Sequence, residues 1–431
     1  MKFIVKGGKP LFGEVTLPGA KNAVSKMMVA SLLTEEPCIL ENVPQIGEVS
    51  IITELLSTIG SEIDIAGGTA KIATPVIKNN RVPELSRRNR IPILALGPLL
   101  ARAKEAEVPI LGGDKLGPRP VDIHLEALAK LGVRIQITKT SYHAWAPDGL
   151  HGAEIELRFP SVGATENVIL AAVLAKGRTV IKNAALEPEL MDLIMMLQKM
   201  GAIIELCPPR TITIEGVERL HGVTHRIIPD RNEAVSLACL AIATNGRILA
   251  KGAVQNDLIT FLNTVRRMGA EYEVTHDGIA FLRPNSLKAL SIQTATHPGF
   301  MTDWQQPLAV LLTQATGTSV IHETIYEDRF GYALDLSEMG ANIKVSTDCP
   351  TGEVCRFEGK NFYHTATIVG PTPLKSANLH VRDLRSGMVD IISALVAQGV
   401  SEIEGVEEID RGYERLDERL RQLGADIDRA D

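Results

Sequence analysis

The sequence predicts an α/β protein of two domains, each a pseudo-threefold set of units with helices inside and sheets outside. Three observations carry that prediction. One short phrase recurs six times, a compact helix without a polar face recurs beside it, and matching polar groups stand where those helices begin. The length of 431 residues suits two or three domains with sizeable cores.

The phrase is an apolar residue, a glycine and a small residue. It occurs as Ile59-Gly60-Ser61, Leu131-Gly132-Val133, Met200-Gly201-Ala202, Met268-Gly269-Ala270, Met339-Gly340-Ala341 and Leu423-Gly424-Ala425. The intervals are close to about 70 residues, and only the last, from Gly340 to Gly424, is stretched, to 84. An amphipathic helix precedes each glycine, as in Leu125-Glu126-Ala127-Leu128-Ala129-Lys130-Leu131, and a strand-like run such as Val133-Arg134-Ile135-Gln136-Ile137 follows. Glycine just past a helix end suits the left-handed conformation that other residues enter at a steric cost. The phrase therefore reads as a helix stop feeding a strand.

The second helix of each unit is apolar nearly all round: Ile93 to Ala101, Asn167 to Ala175, Val235 to Ala243, Pro307 to Gln314 and Val389 to Ala397. Such a helix must be buried on every side, and these are too short to cross a bilayer. Six such units give two domains, 20–229 and 1–19 with 230–431, joined near Pro229-Asp230. The first residues read as strand-turn-strand and suit either domain. A Rossmann fold is excluded, since neither G-x-G-x-x-G nor a Walker loop is present.

Composition narrows the function. A formal net charge of −7 gives a nucleic-acid partner no electrostatic footprint. No apolar stretch approaches the span a membrane helix needs, and Met1-Lys2-Phe3-Ile4-Val5-Lys6 has no signal-peptide core, so the expected location is the cytoplasm. The five cysteines are scattered and form no C-x-x-C pair, which reads as free thiols in a reducing compartment. Cys349 and Cys355, with His364 beyond, match no usual zinc spacing, and no metal is expected.

The helix starts carry the chemistry. In order they are Pro18-Gly19-Ala20-Lys21-Asn22, Arg87-Arg88-Asn89-Arg90, Phe159-Pro160-Ser161-Val162-Gly163-Ala164-Thr165, Pro229-Asp230-Arg231, His297-Pro298-Gly299-Phe300-Met301-Thr302-Asp303 and Arg382-Asp383-Leu384-Arg385. Helix N-termini favour anions. With facing domains, Lys21, Arg90, Arg385 and Arg411 would converge on one small doubly charged anion, a carboxylate-phosphate such as phosphoenolpyruvate. The plainer reading is that Asp230, Asp303 and Asp383 only cap helices and that a lone arginine there is solvated. The run from Ile110 to Asp122, rich in glycine and proline, suits a lid over a site.

At these residues the chain resembles the enolpyruvyl transferases that act on UDP-N-acetylglucosamine. The resemblance rests on Phe3-Ile4-Val5-Lys6-Gly7-Gly8-Lys9-Pro10-Leu11, Gly19-Ala20-Lys21-Asn22-Ala23, Ala95-Leu96-Gly97-Pro98-Leu99, Gly117-Pro118-Arg119-Pro120-Val121-Asp122, Ser161-Val162-Gly163-Ala164-Thr165, His297-Pro298-Gly299-Phe300 with Thr302-Asp303, and Asp410-Arg411-Gly412-Tyr413-Glu414-Arg415. It implies an inside-out α/β barrel of two domains built from six repeats, as in EPSP synthase. It also implies transfer of the enolpyruvyl group of phosphoenolpyruvate to the sugar 3′-hydroxyl, the first committed step of peptidoglycan synthesis, with no metal or organic cofactor.

By the same resemblance, Lys21, Arg119 and Arg411 bind phosphoenolpyruvate, with Arg90 and Arg385 nearby. Asn22, Arg119, Pro120, Val121, Asp122, Ile123, Ser161, Val162, Gly163, Arg231, Asp303 and Ile325 face UDP-N-acetylglucosamine. Asp303 takes the hydroxyl proton, and Asp114, on the lid at about 110–122, protonates C3. Most relatives carry cysteine at that place, the residue that fosfomycin alkylates, so the resemblance implies fosfomycin insensitivity. An ordinary aspartate has a pKa of roughly 3.9 and must be raised to serve as an acid.

Val24-Ser25-Lys26, Val235-Ser236 and Ser386-Gly387-Met388 also depart from the family pattern. The alternatives are the sister transferase acting on shikimate 3-phosphate and a non-catalytic paralogue that binds UDP-sugar.

Overall fold

The computed structural model describes residues 1–86, 90–110, 121–283, 286–350 and 355–430. Within these residues the chain forms two compact units, one of 19–110 with 121–228 and the other of 1–18 with 229–430.

In the 19–228 unit the helices Lys21–Ala30, Leu96–Ala103 and Val162–Ala172 lie at the centre. From Ala164 to Ala172 the third of these is buried at every residue. Beyond Asn167 every residue on it is apolar, which favours burial of the whole circumference, and the buried Glu166 before them lies 3.7 Å from Lys26 of a neighbouring central helix. Gly97 permits the closest crossing: a Cβ there would stand 2.8 Å from the Ala171 backbone nitrogen. The other unit repeats the design with Arg231–Ala243, Gln305–Thr313 and Leu384–Val396, and all of Arg231–Ala243 is buried.

Around these helices, six sheets form among the described residues. Most follow one pattern, a parallel pair extended by two antiparallel strands. In one, Thr224–Arg226 runs parallel to Cys38–Glu41, which pairs antiparallel with Thr69–Ala73 and so reaches Glu62–Ala66. Where the parallel neighbours are consecutive in the chain, as Glu154–Glu156 and Arg178–Lys182 are, the buried helix between them, here Val162–Ala172, supplies the crossover. The sheet containing Glu105–Pro109 has three strands, and an isolated parallel bridge from Arg81 to Glu107 stands where its fourth would be.

The six phrase glycines, Gly60, Gly132, Gly201, Gly269, Gly340 and Gly424, all take positive φ, between 89° and 119°. Each ends a helix and leads into a strand, as the repeat predicts. The hairpins that follow are tight in four units, with connecting residues 67–68, 138–140, 208–210 and 275–277. In the fifth, residues 347–364 separate the strands Asn342–Ser346 and Thr365–Gly370, which accounts for the stretched interval. In the sixth, the strand Lys2–Lys6 inserts between Val400–Glu404 and Asp426–Ala430.

The buried helices begin earlier than apolar runs predict. Val162, Gly163, Arg231 and Arg385 belong to first helical turns and not to preceding loops. A first turn needs no apolar face when its N–H groups and side chains are met locally. The predicted helix at Ile93 opens as a 3₁₀ turn, Ile91–Ala95, before the α-helix Leu96–Ala103. Pro92 and Pro98 remove two donors in that stretch, which favours the tighter start. Among the described residues, no helix is long and apolar enough to cross a membrane.

Candidate active site

In the 1–18 and 229–430 unit, two of the predicted residues, Asp303 and Arg385, meet directly. Asp303 sits in the 3₁₀ turn Thr302–Trp304, and its two oxygens divide between two arginines. Arg329 Nη2 donates to Oδ1 at 2.5 Å, and Arg385 Nε lies 3.3 Å from Oδ2. Both guanidinium groups are nearly fully buried, whereas Asp303 keeps partial access to solvent. Asp303 is thus no helix cap but an ion-paired carboxylate fixed in place by charge and geometry.

Arg385 is further held by Tyr413, to whose hydroxyl it donates at 3.0 Å, and Ser236 Oγ stands 3.2 Å from the same oxygen. Burial works against the charge on Arg385, but Tyr413, Asp303 and Asp230 outweigh it and push its pKa up. Arg231, expected to face the sugar nucleotide, is buried: it lies over the Trp304 ring at 5.5 Å and 3.5 Å from His297 Nδ1. Asp230 and Asp383 do cap helices, accepting from Asn232 and Glu233 and from Arg385 and Ser386.

Ile325 follows Glu323, a fully buried carboxylate that braces this corner. Its Oε2 accepts from Thr302 Oγ1 at 2.8 Å, and its Oε1 accepts from the Ile325 and Tyr326 backbone N–H groups at 2.7 and 3.1 Å. One side chain therefore couples the Asp303 turn to the Ile325 segment. Arg411 ends the short helix Val406–Asp410 and donates to Glu408 Oε2 at 2.6 Å.

In the 19–228 unit, Lys21 and Asn22 open the helix Lys21–Ala30, whose N-terminus has no side-chain cap. Lys21 Nζ lies 4.0 Å from the buried Glu48. Ser161 caps Val162–Ala172 by accepting from the Ala164 N–H at 3.4 Å. Gly163 admits the His124 ring, since a Cβ there would stand 3.0 Å from its Cε1. His124 is buried and, through that burial and then the Arg90 charge, its pKa falls to about 3, so the imidazole is neutral near pH 7. Val121 leads into Asp122–Lys130, where Asp122 pairs with Arg158 and Ile123 donates its N–H to Asp122 at 2.9 Å. Asp114, Arg119 and Pro120, with most of the lid, lie outside the described residues.

Two firm donors on a carboxylate that retains a solvent-facing edge make a fixed acceptor for a hydroxyl proton, and uncapped or hydroxyl-capped helix starts beside Lys21 and Ser161 suit anionic oxygens. The family described as EPSP synthase (3-phosphoshikimate 1-carboxyvinyltransferase) matches residues 5–420. The chain belongs to that family.

Within the EPSP synthase family, it is similar to proteins named UDP-N-acetylglucosamine 1-carboxyvinyltransferase. That of Protochlamydia amoebophila is 47% identical over 98% of this chain and 93% of the relative. That of Staphylococcus aureus is 40% identical over 99% of both. Among solved structures, the enolpyruvyl transferase NikO of Streptomyces tendae superposes with a TM-score of 0.86 at 25% identity, covering 99% of this chain and 98% of that one. An EPSP synthase of Acinetobacter baumannii gives 0.75 at 17% identity, covering 100% of each, and supports the shared fold.

Sequence reasoning missed Arg329, Glu323, Tyr413 as a partner of Arg385, and His124. None stands at the start of a buried helix, where the repeat directs attention. It also missed His322, which joins Cys349, Cys355 and His364 in a cluster whose potential ligand atoms lie within 4.8 Å of one another. The expectation of no metal site rested on spacing along the chain, and the fourth residue comes from a separate strand.

Proposed function

We propose that this chain transfers the enolpyruvyl group of phosphoenolpyruvate to the 3′-hydroxyl of UDP-N-acetylglucosamine, releasing phosphate, in the cytoplasm. The observation that carries the reading is 40–47% identity, over nearly the whole chain, to proteins named for that reaction. The sister activity on shikimate 3-phosphate is disfavoured by the far lower identity, 17%, to an EPSP synthase.

In this reading the catalytic domains are 20–229, carrying the lid at about 110–122, and 1–19 with 230–431. Asp303 accepts the 3′-hydroxyl proton while the sugar oxygen attacks C2 of phosphoenolpyruvate. Asp114 delivers a proton to C3, giving a tetrahedral ketal. Loss of a proton from C3 and departure of phosphate then restore the double bond. Lys21, Arg119 and Arg411 bind the donor, with Arg90 and Arg385 supporting them. Asn22, Arg119 to Ile123, Ser161 to Gly163, Arg231, Asp303 and Ile325 hold the sugar nucleotide. The Asp303 geometry supports its part: Arg329 and Arg385 orient the carboxylate without covering it.

Phosphate release by the purified chain, given phosphoenolpyruvate and each acceptor in turn, tests the reading. Release with UDP-N-acetylglucosamine alone is expected. Release only with shikimate 3-phosphate, or tight sugar binding without turnover, would overturn it.

A further inference from the structure

The long connection 347–364 stands where other units make a hairpin turn of two or three residues, and it brings two cysteines and a histidine to one sheet edge. His322 is the last residue of the strand Ala315–His322 and pairs in register with Thr365, the neighbour of His364. The Glu323 N–H donates to the His364 carbonyl at 2.8 Å, and the two imidazole centroids stand 5.5 Å apart. Backbone pairing alone thus sets two imidazoles side by side.

Cys349 Sγ lies 3.2 Å from His364 Nε2. His364 Nδ1 lies 2.8 Å from the Phe362 carbonyl, which only accepts, so the proton is on Nδ1 and the Nε2 lone pair faces the sulfur. His322 Nδ1 is set in the same way by Gln293 Oε1 at 3.3 Å, which directs Nε2 to ligand duty. The Phe357 N–H donates to Cys355 Sγ at 3.4 Å. His322, Cys355 and His364 are buried, and the Phe357 ring stands 5.7 Å from that of His364.

We propose that His322, Cys349, Cys355 and His364 bind one zinc ion as a closed structural site. Two thiolates and two neutral imidazoles suit a tetrahedral zinc centre. Bonds of roughly 2.3 Å to sulfur and 2.1 Å to nitrogen set ligand atoms roughly 3.3–3.8 Å apart. The Cys349–His364 pair, at 3.2 Å, is slightly closer than that and would open a little, while the wider pairs of the set, within 4.8 Å, need a contraction of order 1 Å. Hard cations want oxygen ligands and iron–sulfur clusters are usually held by four thiolates, so zinc is the metal of choice. As zinc binds, the two thiols release their protons to water.

Four protein ligands leave no open position, so the metal's work is to cross-link. What it fixes lies beside the candidate site. Arg356, next to Cys355, donates to the Ile325 carbonyl at 3.1 Å and pairs with Glu327 at 3.1 Å. The Tyr363 N–H donates to Asp328 at 3.0 Å. Zinc therefore holds the Ile325–Arg329 segment, and its effect on sugar-nucleotide binding rests on the function proposed above.

The test begins with elemental analysis of the full-length chain purified under reducing conditions after growth with added zinc. One zinc per chain is expected, falling about tenfold or more in Cys349→Ser/Cys355→Ser. Cobalt(II) exchanged into the wild-type chain should show tetrahedral visible bands with a thiolate charge-transfer band, a readout that needs neither a variant nor activity. Zinc far below one per chain after reconstitution, cobalt without the thiolate band, or a Cys349–Cys355 disulfide in the reduced chain would overturn the proposal. If the site also serves binding, chelation raises KM for UDP-N-acetylglucosamine several-fold while kcat holds. A stoichiometric zinc site in a chain that turns over no substrate would leave this site standing and refute the activity alone.

Discussion

Asp303 owes its fixed orientation to two neighbours from different stretches of chain, Arg329 and Arg385. Replacing Asp303 by Asn keeps hydrogen-bonding shape but removes the proton acceptor. Turnover should drop by about 10²-fold or more, with sugar affinity, measured by calorimetry, within a few-fold of wild type. Unchanged turnover would remove Asp303 from the mechanism. Arg329→Met should act through Asp303, lowering kcat more than it raises KM in steady-state assays, because it unfixes the carboxylate without touching the remaining sugar contacts. At position 114, aspartate offers fosfomycin no thiol, so intact-mass measurement should find no covalent adduct on the wild-type chain. Asp303 and Arg385 were legible in the sequence because repeat symmetry marks helix starts. Arg329 was not, since an arginine in a strand-to-helix segment carries no periodic signal and its partner is set by the fold. The same holds for His322, whose place among Cys349, Cys355 and His364 depends on strand register.

At the scale of elements, the six phrases and the all-apolar helices were readable because each reports one physical demand, a left-handed helix stop or burial on every side. The departures from family pattern make sense only in three dimensions. Ser236 meets Tyr413, and Ser386 closes a capping box with Asp383. Lys26, on Lys21–Ala30, lies 3.7 Å from Glu166, on Val162–Ala172, so a buried charge pair joins two central helices. Burial, offset in part by Lys26 and reinforced by Glu187 and Glu189, pushes the Glu166 pKa up to about 7. A carboxylic acid raised in the folded state contributes stability that is full below about pH 4.5 and lost as pH rises through about 7. Glu166→Gln abolishes that titration. Denaturant unfolding at pH 5 and pH 8 should therefore show a stability difference smaller than wild type by about 3 kcal/mol. Glu233, also pushed up to about 7 chiefly by burial, keeps its own slope in both proteins, so the comparison isolates Glu166. An identical pH dependence in the variant would refute the assignment.

For the whole molecule, the chain's path matters more than any single contact. The 229–430 unit is completed by residues 1–18, and Phe3, fully buried under Arg429 at 4.8 Å, sits in the strand between Val400–Glu404 and Asp426–Ala430. Phe3→Ala should cost about 3–5 kcal/mol. Hydrogen exchange read by mass spectrometry should show faster exchange in those two flanking strands, with Cys38–Glu41 in the other unit unaffected. Equal protection in the flanking strands would count against this topology.

The placement of Lys2–Lys6 also orders events during synthesis. Ribosomes emit this strand hundreds of residues ahead of both of its sheet neighbours. The 19–228 unit is complete, and can close its own core, before either neighbour is made. The strand Lys2–Lys6 must wait unpaired until residues 400–430 are made, and it is there that chaperones have a strand to guard.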